Sequence, residues 1–190
     1  VYRDISALIG QGVPVRGEAG IGYVLEAGFD LPPLMFTADE VEAVLVGMRW
    51  LRERADPALA TAAEDVLAKV TAVIPANLKP LMIDGTLFAP VFGAPLPVDK
   101  VDIGAVRLAI RQGRKVAIRY RDESGKATER LMWPIGLSFQ ERARIIIAWC
   151  ELRHDFRYFR TDRIEELNVS EMRYPERRAV LFTRWQREEL

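Results

Sequence analysis

Four arginines, Arg153, Arg157, Arg160 and Arg163, lie within eleven positions and alternate with Phe156, Tyr158 and Phe159. Guanidinium groups form two-pronged hydrogen bonds with phosphates and carboxylates, and aromatic rings give bases a face on which to stack. Arg119 and Tyr120, in an earlier alternating run, supply the same pair of residue types. The spacing therefore fits a phosphate-binding patch. It equally fits a solvated strand face in which the arginines pair with Asp155, Asp162, Glu165 and Glu166 and the aromatics belong to the core. Asp162 is placed as the partner that holds an arginine. Strict alternation cannot bury both Phe156 and Phe159 on one face, so burying both requires a bulge or a strand covered on two sides.

Other chemistry is poorly supplied. The single histidine, His154, stands between Arg153 and Asp155, away from any nucleophile or set of metal ligands. No G-x-S-x-G, Walker A, H-E-x-x-H or G-x-G-x-x-G spacing occurs, and Gly17, Gly20 and Gly22 match no phosphate loop. One cysteine, Cys150, excludes an internal disulfide and a cysteine-based zinc cluster, and its place in an apolar run predicts a buried, inert thiol. We expect neither enzymatic activity nor a metal or cofactor. No apolar stretch is long enough to span a membrane and the first residues lack the order of a signal peptide, so a reduced cytoplasmic location is expected.

The 190 residues carry 27 basic and 27 acidic side chains, yet the neutral total conceals an asymmetry. Residues 30–65 have a net charge of −5 and residues 105–164 a net charge of +7, with twelve arginines among the fourteen cations of the basic stretch. Arginine outnumbers lysine by 22 to 5 over the whole chain, so the preference for arginine is general and the clustering is what needs a cause.

The elements that must position these residues follow from periodicity and punctuation. Ile5, Leu8 and Ile9 have helical spacing before Gly10 and Gly12; Val13–Arg16 and Ile21–Leu25 flank a glycine-containing turn, a hairpin pattern. Leu31-Pro-Pro-Leu34 is a stiff connector. Thr37-Ala-Asp-Glu40 is a capping box that opens a helix with Val41, Val44, Leu45, Met48 and Leu51 inward, and Asp56-Pro57 starts a second, antiparallel helix. Residues 74–97, rich in proline and glycine, read as an irregular linker with one strand at 83–88. A third helix spans about 102–112 and stops at Gly113. Short strands follow: Val116–Arg121 with Val116, Ile118 and Tyr120 on one face; 129–137, interrupted by Pro134 and so an edge or a bulged strand; a buried strand within 143–152; 156–160; and 167–169. Residues 177–190 read as a helix anchored by Val180, Leu181, Phe182 and Trp185. Trp133 and Trp149 are assigned to the core or to a dimer contact. A helix followed by five short strands suits a small closed or bent sheet.

In this order the residues resemble the WYL-domain transcriptional regulators of the YafY-like, DeoR-type group. Val1-Tyr-Arg-Asp-Ile5, Gly12-Val-Pro14 and Gly20-Ile-Gly22-Tyr23 resemble the end of a recognition helix and the wing of a winged helix-turn-helix. Leu31-Pro-Pro-Leu34 with Asp39-Glu40 resembles the start of the middle helical segment. Ala148-Trp-Cys150, Asp155-Phe-Arg157 and Phe159-Arg-Thr-Asp-Arg-Ile164 resemble the signature stretch of the domain. The tripeptide that names the domain is replaced by Arg144-Ile145-Ile146.

The resemblance implies an α+β chain divided into four parts. Residues 1–27 would be the remnant of a DNA-binding domain that begins upstream. Residues 28–98 would be a helical connector and linker, 99–172 an Sm-like or SH3-like five-stranded barrel, and 173–190 a C-terminal helix. It further implies a ligand-responsive, homodimeric bacterial transcription factor. Tyr2, Arg3 and Arg16 would meet double-stranded DNA, and the barrel would sense a nucleotide or single-stranded nucleic acid through Arg119, Tyr120, Arg153, Arg157, Arg160 and Arg163. Two other functions fit the residues: a dimerisation module without a small ligand, and an Sm-like RNA-binding accessory protein.

Overall fold

The computed structural model describes residues 5, 15–18, 22–25, 36–80, 87 and 96–189. The chain forms two compact units, Val1–Thr37 and Ala38–Leu190. In the first, β1 (Val15–Glu18) and β2 (Gly22–Leu25) pair antiparallel, with Val15 opposite Leu25 and Glu18 opposite Gly22. Arg16 lies exposed on β1. Tyr2, Arg3, the Leu31–Leu34 connector and nearly all of the expected strand at 83–88 lie outside the described residues.

The second unit opens with α1 (Ala38–Arg54) and α2 (Pro57–Val73), which pack on each other and are joined by Ala55 and Asp56 alone. Asp39 and Glu40 occupy the first turn of α1, where carboxylates meet the positive end of the helix, and Arg52 and Arg54 occupy its last. Asp56 caps α2 as expected: its backbone is extended and its Oδ1 accepts from the Leu59 amide at 3.3 Å. A short 3₁₀ turn, Ala76–Leu78, follows α2.

Helix α3 (Ile103–Gln112) buries Ile103, Val106, Ala109 and Ile110, a stripe of period 3.6, and ends at Gly113, whose φ of 64° is the left-handed cap that glycine adopts without steric cost. Five antiparallel strands come next: β3 (Arg114–Arg121), β4 (Ala127–Phe139), β5 (Arg144–Cys150), β6 (Asp155–Arg160) and β7 (Ile164–Arg173). Their order across the sheet is β6-β5-β4-β3-β7. Helix α4 (Arg178–Glu189) closes the chain. The expected boundaries at 98/99 and 172/173 both fall inside this second unit.

One face of the sheet packs on α3. Val116, Ile118, Met132, Ile146, Ala148, Cys150, Phe159 and Ile164 join Val106, Ala109 and Ile110 in a single cluster. The opposite face packs under α4, where Ile135, Ile147, Phe156, Tyr174 and Leu181 are buried with Trp133, Trp149, Phe182 and Trp185 against them. Phe156 and Phe159 are thus both buried, on opposite faces of β6. That is the two-sided strand that their odd spacing demands. Trp133 and Trp149 pack, partly buried, against this core: Trp133 stacks on Tyr174 and Trp149 meets Phe156 edge-on.

β4 is the central strand, so Pro134 marks a bulge and not an edge. The register to β5 steps from Pro134–Ala148 to Gly136–Ile147, inserting one extra residue, Ile135. The insertion lets Met132 and Leu137 both face α3 while Trp133 and Ile135 face α4.

The sheet is strongly curled. In a flat sheet β3 and β6, three strand spacings apart, would be separated by about 14 Å. The rings of Tyr120 on β3 and Phe159 on β6 instead meet at 5.2 Å. The expected closed barrel is nevertheless not what forms. No ladder joins β6 to β7 among the described residues; both are edges, linked by the 3₁₀ turn Thr161–Arg163. That turn delivers the chain directly into pairing with β3, where Ile164 already lies opposite Tyr120, so the two edges have no stretch in which to form a ladder.

A candidate anion site at the open end of the curled sheet

The α3-facing side of the sheet continues past the apolar core to a polar rim. Ladder geometry puts Ile118 opposite Arg130 and Tyr120 opposite Thr128, while Ala148 faces Arg157 and Cys150 faces Asp155. Arg130, Tyr120 and Arg157 therefore project from the same side as the core residues beside them, one or two rungs further out. They enclose a cavity of about 250 Å³ together with Asp122, Cys150, Arg153, Tyr158 and Phe159. The β5–β6 turn brings in Arg153. His154 there adopts φ 50° and donates its amide to the Cys150 carbonyl at 2.8 Å.

Each cation in this rim is held differently. Thr128 Oγ1 donates to the Tyr120 carbonyl and accepts from Arg130 Nε at 3.2 Å, which orients the Arg130 guanidinium; its Nη1 is buried without a partner. Arg157 reaches Asp155 at 2.8 Å, with both side chains about half exposed, an arrangement that contributes little in water. Arg153 is exposed and has no acid partner among the described residues. Asp122 closes the β3–β4 turn by accepting from the Ser124 hydroxyl and from the amides of Ser124 and Lys126, and these bonds, the Ser124 hydroxyl first, hold its carboxyl below the usual aspartate value. The rim thus sets three guanidinium charges against the carboxylates of Asp122 and Asp155.

The structure brings Tyr120, Arg153 and Arg157 together and leaves the other sequence candidates out of the cavity lining. Arg160 forms a two-pronged pair with Asp162, 3.0 Å on each arm, which is the holding role foreseen for that aspartate. Arg163 donates to Glu123 at 3.0 Å; that bond foremost, with help from the Tyr120 hydroxyl, raises its basicity. Arg119 lies on the other side of β3, paired with Glu165 and Glu166 at 3.4 Å. There it lines a broader depression of about 620 Å³ with Glu129, Leu131, Glu151 and Asn168, which Arg130 also borders. Glu165 also takes Arg121, and this pairing lowers its carboxyl.

Sequence reasoning missed Arg130. Its signal was alternation: it lies two residues before the buried Met132, on the same face of the strand. Cys150 is buried and free, as its apolar run predicts, and forms part of the cavity floor. Among the described residues no three His, Cys, Asp or Glu side chains are grouped to hold a metal, and no helix is long and apolar enough to cross a membrane.

A helix followed by a curled, open, five-stranded antiparallel sheet with an arginine-lined mouth defines a small α+β module. Residues 102–169 match the WYL domain, so the chain contains one. Among solved structures, the chain is similar to proteasome accessory factor B/C (PafBC) of Arthrobacter aurescens, with 24% identity and a TM-score of 0.38, over 76% of this chain and 22% of that one.

Proposed function

We propose that this chain belongs to a ligand-responsive bacterial transcriptional regulator of the YafY-like, DeoR type, whose WYL domain senses an anionic effector, a nucleotide or single-stranded nucleic acid. The observation that carries the reading is the rim of the curled sheet: Arg130, Arg153 and Arg157 around a cavity of about 250 Å³ with Tyr120 and Phe159 beside them. Guanidiniums beside the partly buried Tyr120 ring are groups that a phosphate linked to a base can use. In this reading the β1–β2 hairpin with Arg16 is the wing of a winged helix-turn-helix, Tyr2 and Arg3 precede it on the recognition helix, and the regulator acts on DNA as a cytoplasmic homodimer. The effector shifts the protein between arrangements in proportion to its differential affinity for them.

Fluorescence anisotropy with a labelled short single-stranded oligonucleotide tests the effector reading. Saturable binding that weakens in Arg153→Ala and in Arg157→Ala is expected. A folded chain that binds no oligonucleotide and no nucleotide at low salt refutes it and leaves the dimerisation module, which sedimentation equilibrium would then show as a salt-insensitive dimer.

A further inference from the structure

The corner between α1 and α2 is unusually well tied. Arg54, Ala55 and Asp56 are 3%, 6% and 2% exposed, although two of the three are charged and all lie where two helices end. Three guanidiniums account for this. Arg144, the first residue of β5, donates from Nε to the Arg54 carbonyl at 2.7 Å and from Nη2 to the Ala55 carbonyl at 2.8 Å, while its Nη1 pairs with Asp99. Arg54 in turn donates to the Glu141 carbonyl in the β4–β5 connection. Arg107 on α3 grips Asp56 with two bonds of 2.9 Å. Carbonyls at the end of a helix have no partner within the helix, and a cation there also meets the negative end of the dipole. Arg144 thus satisfies the end of α1 from a strand of the sheet.

The other end of that strand is the rim. β5 runs from Arg144 to Cys150, about 20 Å, and Cys150 lines the cavity floor. Between them Ile145, Ile146, Ile147 and Ala148 are all buried, so β5 has little freedom to bend. We infer that Arg144 is a positioning residue that makes β5 a strut between the rim and the α1–α2 corner: a shift of the strand at Cys150 moves the helical pair, and freeing the corner loosens the rim. This goes beyond effector recognition and does not depend on what the effector is.

The single cysteine provides the readout. In the 190-residue chain, Arg144→Ala is compared with Val41→Ala, a core substitution elsewhere on α1, under conditions where both are equally stable. Amide exchange follows residues 51–60, and reaction of Cys150 with an aromatic disulfide reagent follows the rim. Loss of hydrogen bonds to a charged group predicts exchange at the corner about tenfold or more faster. Cys150 is expected to react several times faster in Arg144→Ala than in its stability-matched control. A corner that opens while Cys150 reacts no faster than in the control overturns the strut, as does a corner whose exchange does not change. Should Arg144→Ala fail to fold, Arg144→Lys retains a cation but cannot reach two carbonyls and Asp99 at once. It is held to the same two criteria, with a smaller rise expected in each.

Discussion

If the rim binds nucleic acid, its salt dependence should count the guanidiniums that take part. Arg130, Arg153 and Arg157 surround the cavity. Each phosphate neutralised on a single strand contributes about −0.7 to the slope of log affinity against log salt, so full engagement gives about −2. Raising salt from about 50 to about 200 mM then weakens binding about 20-fold. Arg153→Ala removes one contact, brings the slope to about −1.4 and weakens binding about tenfold or more at low salt. Arg157→Ala should cost less, because Asp155 already shares that guanidinium at 2.8 Å. Asp155→Asn frees it and should tighten binding. Arg160→Ala is the informative control: its guanidinium is committed to Asp162 by two bonds and lines no part of the cavity, so both slope and affinity should hold. The assay is anisotropy of a labelled single-stranded oligonucleotide across a salt series. A slope near zero, or a slope that falls as far in Arg160→Ala as in Arg153→Ala, would refute the assignment of the rim.

Other expectations concern stability. Asp56→Ala removes the cap of α2 and leaves the largely buried Arg107 without its partner; a loss of about 3–5 kcal/mol is expected by denaturant unfolding, with Asp56→Asn recovering only the cap share. Gly113→Ala should cost about 1 kcal/mol from its positive φ alone, since a methyl group there meets Tyr174 at an ordinary 3.6 Å. Leu181→Ala, at a fully buried position on the sheet-facing side of α4, should cost about 2–5 kcal/mol and shift the tryptophan emission as α4 loosens over Trp149 and Trp133. Glu151 supplies a pH signature. Its carboxyl accepts from Lys115 and from the Trp133 indole, both at 2.6 Å, and the Lys115 bond foremost lowers its pKa in the folded state. The unfolded chain therefore binds this proton first as acid is added. The stabilisation is complete above the ordinary glutamate value and is lost as pH falls from there through the lowered value. Glu151→Gln should be less stable at neutral pH and show a flatter decline on the acid side, as followed by denaturation midpoints.

Much of the architecture was legible because local rules and tertiary packing agree. The caps and stops at Asp56 and Gly113 act through a residue's own backbone and its nearest neighbours, so spacing alone reveals them. The alternation of Val116, Ile118 and Tyr120 records a strand with one apolar side, and the odd interval from Phe156 to Phe159 records a strand covered on both. Pro134 signalled an interruption in β4, but whether that meant an edge or a bulge was set by the neighbour on each side, β3 and β5.

What the chain could not reveal locally was which charges share a site. Twelve arginines in the basic stretch look alike in sequence; the ladder registers decide that Arg130 and Arg157, 27 positions apart, line one cavity while Arg119 turns to the other face. Closure was likewise a global matter, since a three-residue turn after β6 commits β7 to β3 and leaves two edges unjoined. Arg144 is the sharpest case. In sequence it is one more cation at the head of an apolar run, and only the fold brings it to the carbonyl end of a helix some ninety residues earlier. Periodicity reports which face of an element is buried because burial repeats with the backbone. It cannot report partners, because these depend on distances that the backbone sets only after the whole chain has packed.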